Sequence, residues 1–385
     1  VIWACDTSSH EPHKASELKE VTPQERLLIN QSNQLLFRYL NVLQKDHSDE
    51  NLFFSPVSIG MALGMANNCA IGETKNQILT SSGFTGFSEV EINKSFSELS
   101  RFLQNLDQDV SIGLSNTFWH RQNLNVDQSF KDLIMAYYDA EAEGINFSSN
   151  QSPKYINRIV DFKTKGAIPQ AITSLNPDHK AFMYNAAGFS AVFEEKFEDV
   201  IPARPFFKGK EKIMTPYFYK EAGAFQYFED DRQLALEVPL GESQFGFMVI
   251  MPKAPLSFKL DFYQFSEISA RMDTNILNVS LPVFKVNSEI NLNSVFAQIG
   301  FPKALDGTAQ FKTGPDESII NIDLFTHRAA IDLSQSMEKL VNAKNKVSHE
   351  LPAHMVNINQ PFLYFIKEKH TGLILFAGKV VTPGA

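Results

Sequence analysis

The chain has 385 residues, a formal net charge of −9, 43% hydrophobic and 21% charged residues. Those are values of a folded globular chain and exclude a disordered tail protein. The negative charge repels phosphate backbones, so nucleic acid is excluded as a partner, and no apolar run is long enough for membrane insertion as a helix. Length alone suggests two domains. Phe is in excess, with 33 copies against 10 Tyr and 2 Trp.

Residues 1–21 are polar and read as a flexible lead-in. The chain starts at Val1 rather than Met, which we read as removal of a leader. Cys5 and Cys69 are its only cysteines, too few for a disulfide framework. They form one bridge, or stay as thiols, or pair with an external partner. Five Asn-X-Ser sequons, at Asn30, Asn93, Asn146, Asn150 and Asn278, lean toward secretion and glycosylation.

Thr22-Pro23-Gln24-Glu25 is a capping box with Pro at the first helical position, and apolar spacing carries a helix to about Leu43. Ser58–Asn68 is small and apolar all round, as in a fully buried helix. Glu89–Leu106 is amphipathic and acidic on balance, so we expect no heparin site there. From about residue 180, strand-like segments dominate: Phe182–Phe193, Lys212–Phe228, Gln233–Leu240, Phe245–Met251, Asn275–Val286, Ile319–Leu333, Phe362–Lys367 and Gly372–Val381. Helices are predicted at Ser257–Met272 and Glu289–Ile299. Helices followed by strands with no linker between them predict one α+β domain over residues 22–385.

No phosphate-binding Gly-rich loop, His-Glu-X-X-His, Gly-X-Ser-X-Gly or Cys-X-X-Cys occurs, and the nine His are scattered. We therefore expect no enzyme, no metal and no required cofactor.

Asn51-Leu52-Phe53-Phe54-Ser55-Pro56-Val57-Ser58-Ile59 resembles a serpin segment. So do Ser115-Asn116-Thr117-Phe118, Ile156-Asn157, Thr164-Lys165-Gly166, Tyr184-Asn185-Ala186, Leu281-Pro282-Val283-Phe284, Gln360-Pro361-Phe362-Leu363 and Leu375–Pro383. Their order and spacing are similar to the secreted, antitrypsin-like branch. The resemblance implies a serpin fold of three β-sheets and about nine helices, with an exposed reactive-centre loop at about 334–353. Its reactive-centre region is then Val347-Ser348.

Inhibitory members insert that loop as a new strand after cleavage, so alternate residues become buried. The family pattern is Glu, Gly-Thr, then a run of Ala. Here the sequence reads Ser334-Gln335-Ser336-Met337-Glu338-Lys339-Leu340-Val341-Asn342-Ala343-Lys344-Asn345-Lys346. One register buries Glu338, Lys344 and Lys346, and the other buries Met337, Lys339 and Val341. An unpaired buried charge costs several kcal/mol. The hinge also lacks glycine. Phe193 stands where the family has Trp. These departures predict a non-inhibitory member. The alternatives are a protease inhibitor with an atypical hinge, or a ligand-free storage or structural serpin.

The resemblance implies a carrier site between the first helix, the Ser257–Met272 helix and neighbouring strands. There the chain holds Phe225, Tyr227, Phe245, Phe247, Phe258, Phe262, Tyr263 and His370, with Lys253, Lys259 and Arg271 at the rim. Apolar walls with a few cations suit a small hydrophobic acidic ligand. Gly372 replaces the ring-stacking aromatic of a steroid carrier, and the cation of thyroid-hormone carriers is lacking. The lead that the resemblance suggests is biliverdin, after the amphibian biliverdin-binding serpins, carried by a secreted monomer. Lys259 and Arg271 are the candidates for its carboxylates, Asp261 or Glu267 for its pyrrole N–H groups.

Overall fold

The computed structural model describes residues 21–384, apart from 194–196, 198, 255–258, 301–308, 313–318 and 333–354. The expected lead-in, Phe258 and the whole reactive-centre loop, with Gln335, Met337, Glu338, Lys339, Lys344, Lys346, Val347 and Ser348, lie outside the described residues.

The front of the chain forms α1 (Pro23–Asp46), β1 (Leu52–Phe54), α2 (Pro56–Asn67), α3 (Gly72–Ser81), α4 (Glu89–Asn105), β2 (Val110–Arg121), α5 (Gln128–Tyr138), β3 (Glu141–Ile145) and α6 (Ser152–Lys163). Next come β4 (Ala181–Ala191), β5 (Asp199–Lys208), β6 (Glu211–Glu229), β7 (Gln233–Leu240), β8 (Phe245–Pro252), α7 (Phe262–Ala270), β9 (Asp273–Pro282) and β10 (Lys285–Asn291). The chain closes with α8 (Leu292–Ile299), β11 (Phe311–Lys312), β12 (Ile319–Ile320), β13 (Leu324–Asp332), β14 (Val356–Asn357), β15 (Phe362–Glu368) and β16 (Ile374–Val380). This is an α+β fold with eight helices among the described residues.

Side-chain caps set where the helices start. Thr22 and Glu25 complete the capping box of α1, and Ser88 with Glu91 does the same for α4. Asp261 with Gln264 starts α7 at Phe262, so the predicted start at Ser257 is too early. Asn291 likewise caps α8, which leaves Glu289–Asn291 in β10 rather than in the predicted helix. The predicted strand Asn275–Val286 is two strands, β9 ending at Pro282 and β10 starting at Lys285. All twelve residues of α2 are buried, as its composition predicts.

Strands β1-β16-β15-β8-β7-β6-β9-β14 make a nine-stranded sheet with β5 attached to β6. A five-stranded sheet has the order β10-β13-β4-β2-β3, and β11-β12 form a small ribbon. Much of the Phe excess is buried in ring-to-ring contacts. Phe53 stacks on Phe376 at 4.9 Å, Phe284 lies 5.2 Å from Tyr364, and Phe265 meets Phe365 at 4.8 Å.

Helix α6 covers the outer face of the five-stranded sheet over Trp119, Phe182, Tyr184 and Ala330. Its end comes down so close that β2 and β4 need glycine beneath it. A Cβ on Gly113 would sit 2.6 Å from the Thr164 carbonyl carbon, and one on Gly188 would sit 2.5 Å from Ala167 Cβ.

Cys69 is buried with a free thiol, which donates to Ala66 O at 3.4 Å. Among the sequons, Asn30, Asn146 and Asn150 are exposed. Asn93 is shielded from solvent. Its buried amide exchanges hydrogen bonds with Asn68 at 2.9 Å and accepts from the Tyr138 hydroxyl at 2.6 Å. Asn278 is half-buried and accepts from Ala222 N–H at 2.9 Å.

Candidate functional site

β13 precedes the loop expected at 334–353, and β4 is its parallel neighbour. In this structure they are zipped in parallel over eight residue pairs, from Leu324 opposite Phe182 to Ile331 opposite Phe189. A buried polar network lies under the seam. His327 on β13 accepts Ser55 N–H at Nε2, 3.0 Å away, and its Nδ1 lies 2.5 Å from Asn185 Oδ1. The proton therefore sits on Nδ1 and is donated to Asn185. Ser58 Oγ donates to the same oxygen at 2.8 Å. Asn185 Nδ2 donates to Asn116 Oδ1 at 2.7 Å, and Asn116 Nδ2 to Tyr138 O at 3.1 Å. Burial holds the His327 pKa down to about 3. The imidazole is thus neutral, as its acceptor role requires.

On the outer face, Arg328 of β13 donates to Ala171 O at 3.0 Å and to Glu289 at 3.1 Å. Tyr184 of β4 donates to the same Ala171 carbonyl at 3.0 Å. Both strands of the seam are therefore tied to the segment after α6. Sequence reasoning missed this network because its members are single polar residues on separate elements. The one readable signal was the cluster of Ser, Asn and Thr inside otherwise strand-like β2.

The expected carrier site divides. Phe225, Phe245 and Phe247 are fully buried. Phe247 packs against Phe193, Phe284 and Tyr364, because both faces of β8 are covered. Phe262 is half-buried and turns inward to Phe37 at 6.2 Å. Tyr263 is exposed. Tyr227 donates to Glu229, which pairs with Lys253 at 2.7 Å. Burial first, and then Glu229, push the Tyr227 phenol above its usual range. His370 lies on the turn after β15, where its N–H donates to Glu368 at 2.6 Å. Asp261 is taken up as the cap of α7.

Lys259 and Arg271 do meet. They line a cleft of about 680 Å³ beside α7, with Phe228, Arg232, Gln264 and Glu267. Arg271 lies over the Phe228 ring at 4.3 Å and pairs loosely with Glu267 at 3.6 Å. Asp230 and Asp231 also line the cleft, so its charges are balanced and its walls more polar than the Phe count suggests. Asp230 accepts the N–H groups of Arg232 and Gln233, both at 2.9 Å, which fixes the turn at the rim.

No helix is long and apolar enough to cross a membrane, and no cluster of three or more His, Cys, Asp or Glu able to hold a metal occurs among the described residues.

The family profile described as Serpin (serine protease inhibitor) matches residues 30–383. The chain is 25% identical to mouse Serpin A9 over 98% of this chain and 92% of that protein. It is 25% identical to corticosteroid-binding globulin of Saimiri sciureus over 87% of this chain and 85% of that one. Human thyroxine-binding globulin in complex with its hormone superposes with a TM-score of 0.82 at 20% identity, covering 94% of this chain and all of the other.

Proposed function

The chain belongs to the serpin family, and we propose that this member is a secreted, non-inhibitory carrier of a small hydrophobic acidic ligand. A linear tetrapyrrole such as biliverdin is the lead. The observation that carries the reading is the cleft beside α7, where Arg271 and Lys259 stand at one site with the Phe228 ring. Its volume is within the range of small-ligand pockets. Carriers among the similar proteins, for corticosteroid and thyroxine by their names, support the general role.

Arg271 would take one propionate through its guanidinium fork, and Lys259 the other as a point charge. The Arg271–Glu267 pair is exposed and weak, so it gives way to a ligand carboxylate at little cost. Glu267 is then left to accept pyrrole N–H groups. Exposed Asn30, Asn146 and Asn150 fit a secreted protein.

Non-inhibition rests on the hinge. A strand inserted between β4 and β13 must bury either Glu338, Lys344 and Lys346 or Met337, Lys339 and Val341. It must also displace the Arg328 and Tyr184 bonds to Ala171.

Incubation with trypsin-, chymotrypsin- and elastase-like proteases is expected to give no SDS-stable complex, and loop cleavage to add little heat stability. A stable complex would sink the non-inhibitory reading. Biliverdin titrated into the protein should quench its intrinsic fluorescence with saturation. No quenching, with no colour in protein purified from its source, would leave the storage role.

A further inference from the structure

A second cavity lies on the other side of α1. It is a narrow slot between α1, α2 and α4, closed at one end by Thr371 and Leu373. Helix α4 packs on α2, α5 and β2, which leaves the slot between it and α1. The walls are apolar, chiefly Leu28, Leu35, Phe96, Leu99 and Phe102. The floor is Gly60, where a Cβ would stand 3.1 Å from Phe96 Cζ. Only a residue without a side chain keeps that floor open.

Ser82 also lines the slot. It is 4% exposed, and its hydroxyl has no hydrogen-bond partner. A buried hydroxyl without a partner is costly, because its lost hydrogen bonds to water are not replaced. Such a group at the wall of an apolar cavity marks a place for a polar atom from outside the chain. Glu25 and Glu98 line the slot as well, and no basic side chain among the described residues does. That sign of charge disfavours an anion.

We propose that this slot is a second ligand site, for a neutral, planar, polycyclic molecule whose carbonyl oxygen accepts from Ser82 Oγ. About 80 Å³ is open, less than the roughly 300 Å³ of the smallest usual ligand pockets. Leu28, Phe96 and Phe102 are only half-buried, so a flat ring system enters when their side chains turn toward solvent. The small volume selects a flat ring system, the apolar walls disfavour any charge, and the two carboxylates disfavour an anion in particular. The site does not depend on the α7 cleft and takes a ligand of different charge.

Nile red, a neutral planar phenoxazinone, is the probe. Titrated into the full chain, it should give saturable, blue-shifted emission. Leu99→Trp fills the slot from a half-buried position and should weaken binding at least tenfold. Ser82→Ala should weaken it about fivefold, the loss of one neutral hydrogen bond, without lowering the thermal midpoint. Arg271→Ala should leave it unchanged. No saturable emission, or binding kept in Leu99→Trp, would overturn the proposal. So would emission that appears only after residues 1–20 are removed, because the chain's own N-terminus would then be the occupant. Biliverdin binding that fails while Nile red binding persists would count against the α7 carrier site and leave this one standing.

Discussion

The seam between β4 and β13 and the cleft beside α7 use the same residue types to opposite ends. Under the seam, His327, Asn185, Asn116 and Ser58 are dry, and each polar atom engaged there meets a complementary partner. In the cleft, Arg271, Glu267 and Lys259 are exposed to water, and their bonds are loose. A satisfied buried network fixes one arrangement, because any change leaves a group unpaired. A wet, loosely paired set can exchange partners. The first holds the sheet shut, and the second can receive a ligand.

That contrast can be broken from either side. The largest effect is expected at the seam. His327→Ala removes the acceptor of Ser55 N–H and the donor to Asn185, and should cost about 2–4 kcal/mol in urea unfolding. It should leave the α7 cleft unaffected. Gly113→Ala drives a methyl group into the Thr164 backbone, and about 1–3 kcal/mol of destabilisation is expected by the same measurement.

Acid acts on the same histidine. Its folded pKa of about 3 lies below the unfolded value of about 6.5. The stability from its neutral form is whole above pH 6.5 and is lost as pH falls toward 3. The slope is about 1.4 kcal/mol per pH unit. Urea midpoints measured from pH 7 to 4 should show it, and His327→Ala should flatten it.

In the cleft the ranking inverts. Arg271→Ala should change stability by less than about 0.5 kcal/mol, since its pair is exposed. It should weaken biliverdin binding about tenfold, as expected for a hydrogen-bonded charge. A tenfold rise in salt should weaken that binding only a few-fold, because screening acts on exposed charges. A variant that unfolds the protein from the cleft, or moves ligand affinity from the seam, would erase the distinction.

The helices α1, α2 and α4 were legible because their caps and apolar spacing are local signals. The strands of the second half were legible from β-branched and aromatic runs. β2 was not, because a strand buried on both faces carries Ser115, Asn116, Thr117 and His120 inside and so loses alternation. The cleft was half legible. Lys259 and Arg271 are long and charged, so they must reach a surface. Phe225, Phe245 and Phe247, read as walls of a pocket, are fully buried on their strands, and in a sequence an apolar strand residue looks the same facing a cavity or a core. His327 offered no signal, since a lone histidine acquires its role only from Ser55 and Asn185, which lie far off in sequence.

Cys69 gives the fold a built-in clock. Its thiol sits at the end of α2, its backbone carbonyl accepts from Lys312 N–H at 2.7 Å, and burial raises its pKa far above that of a free thiol. An alkylating reagent needs an accessible thiolate, so Cys69 reacts only when this corner opens. Its labelling rate therefore reads the opening frequency of the helical front, separately from anything that happens at the cleft.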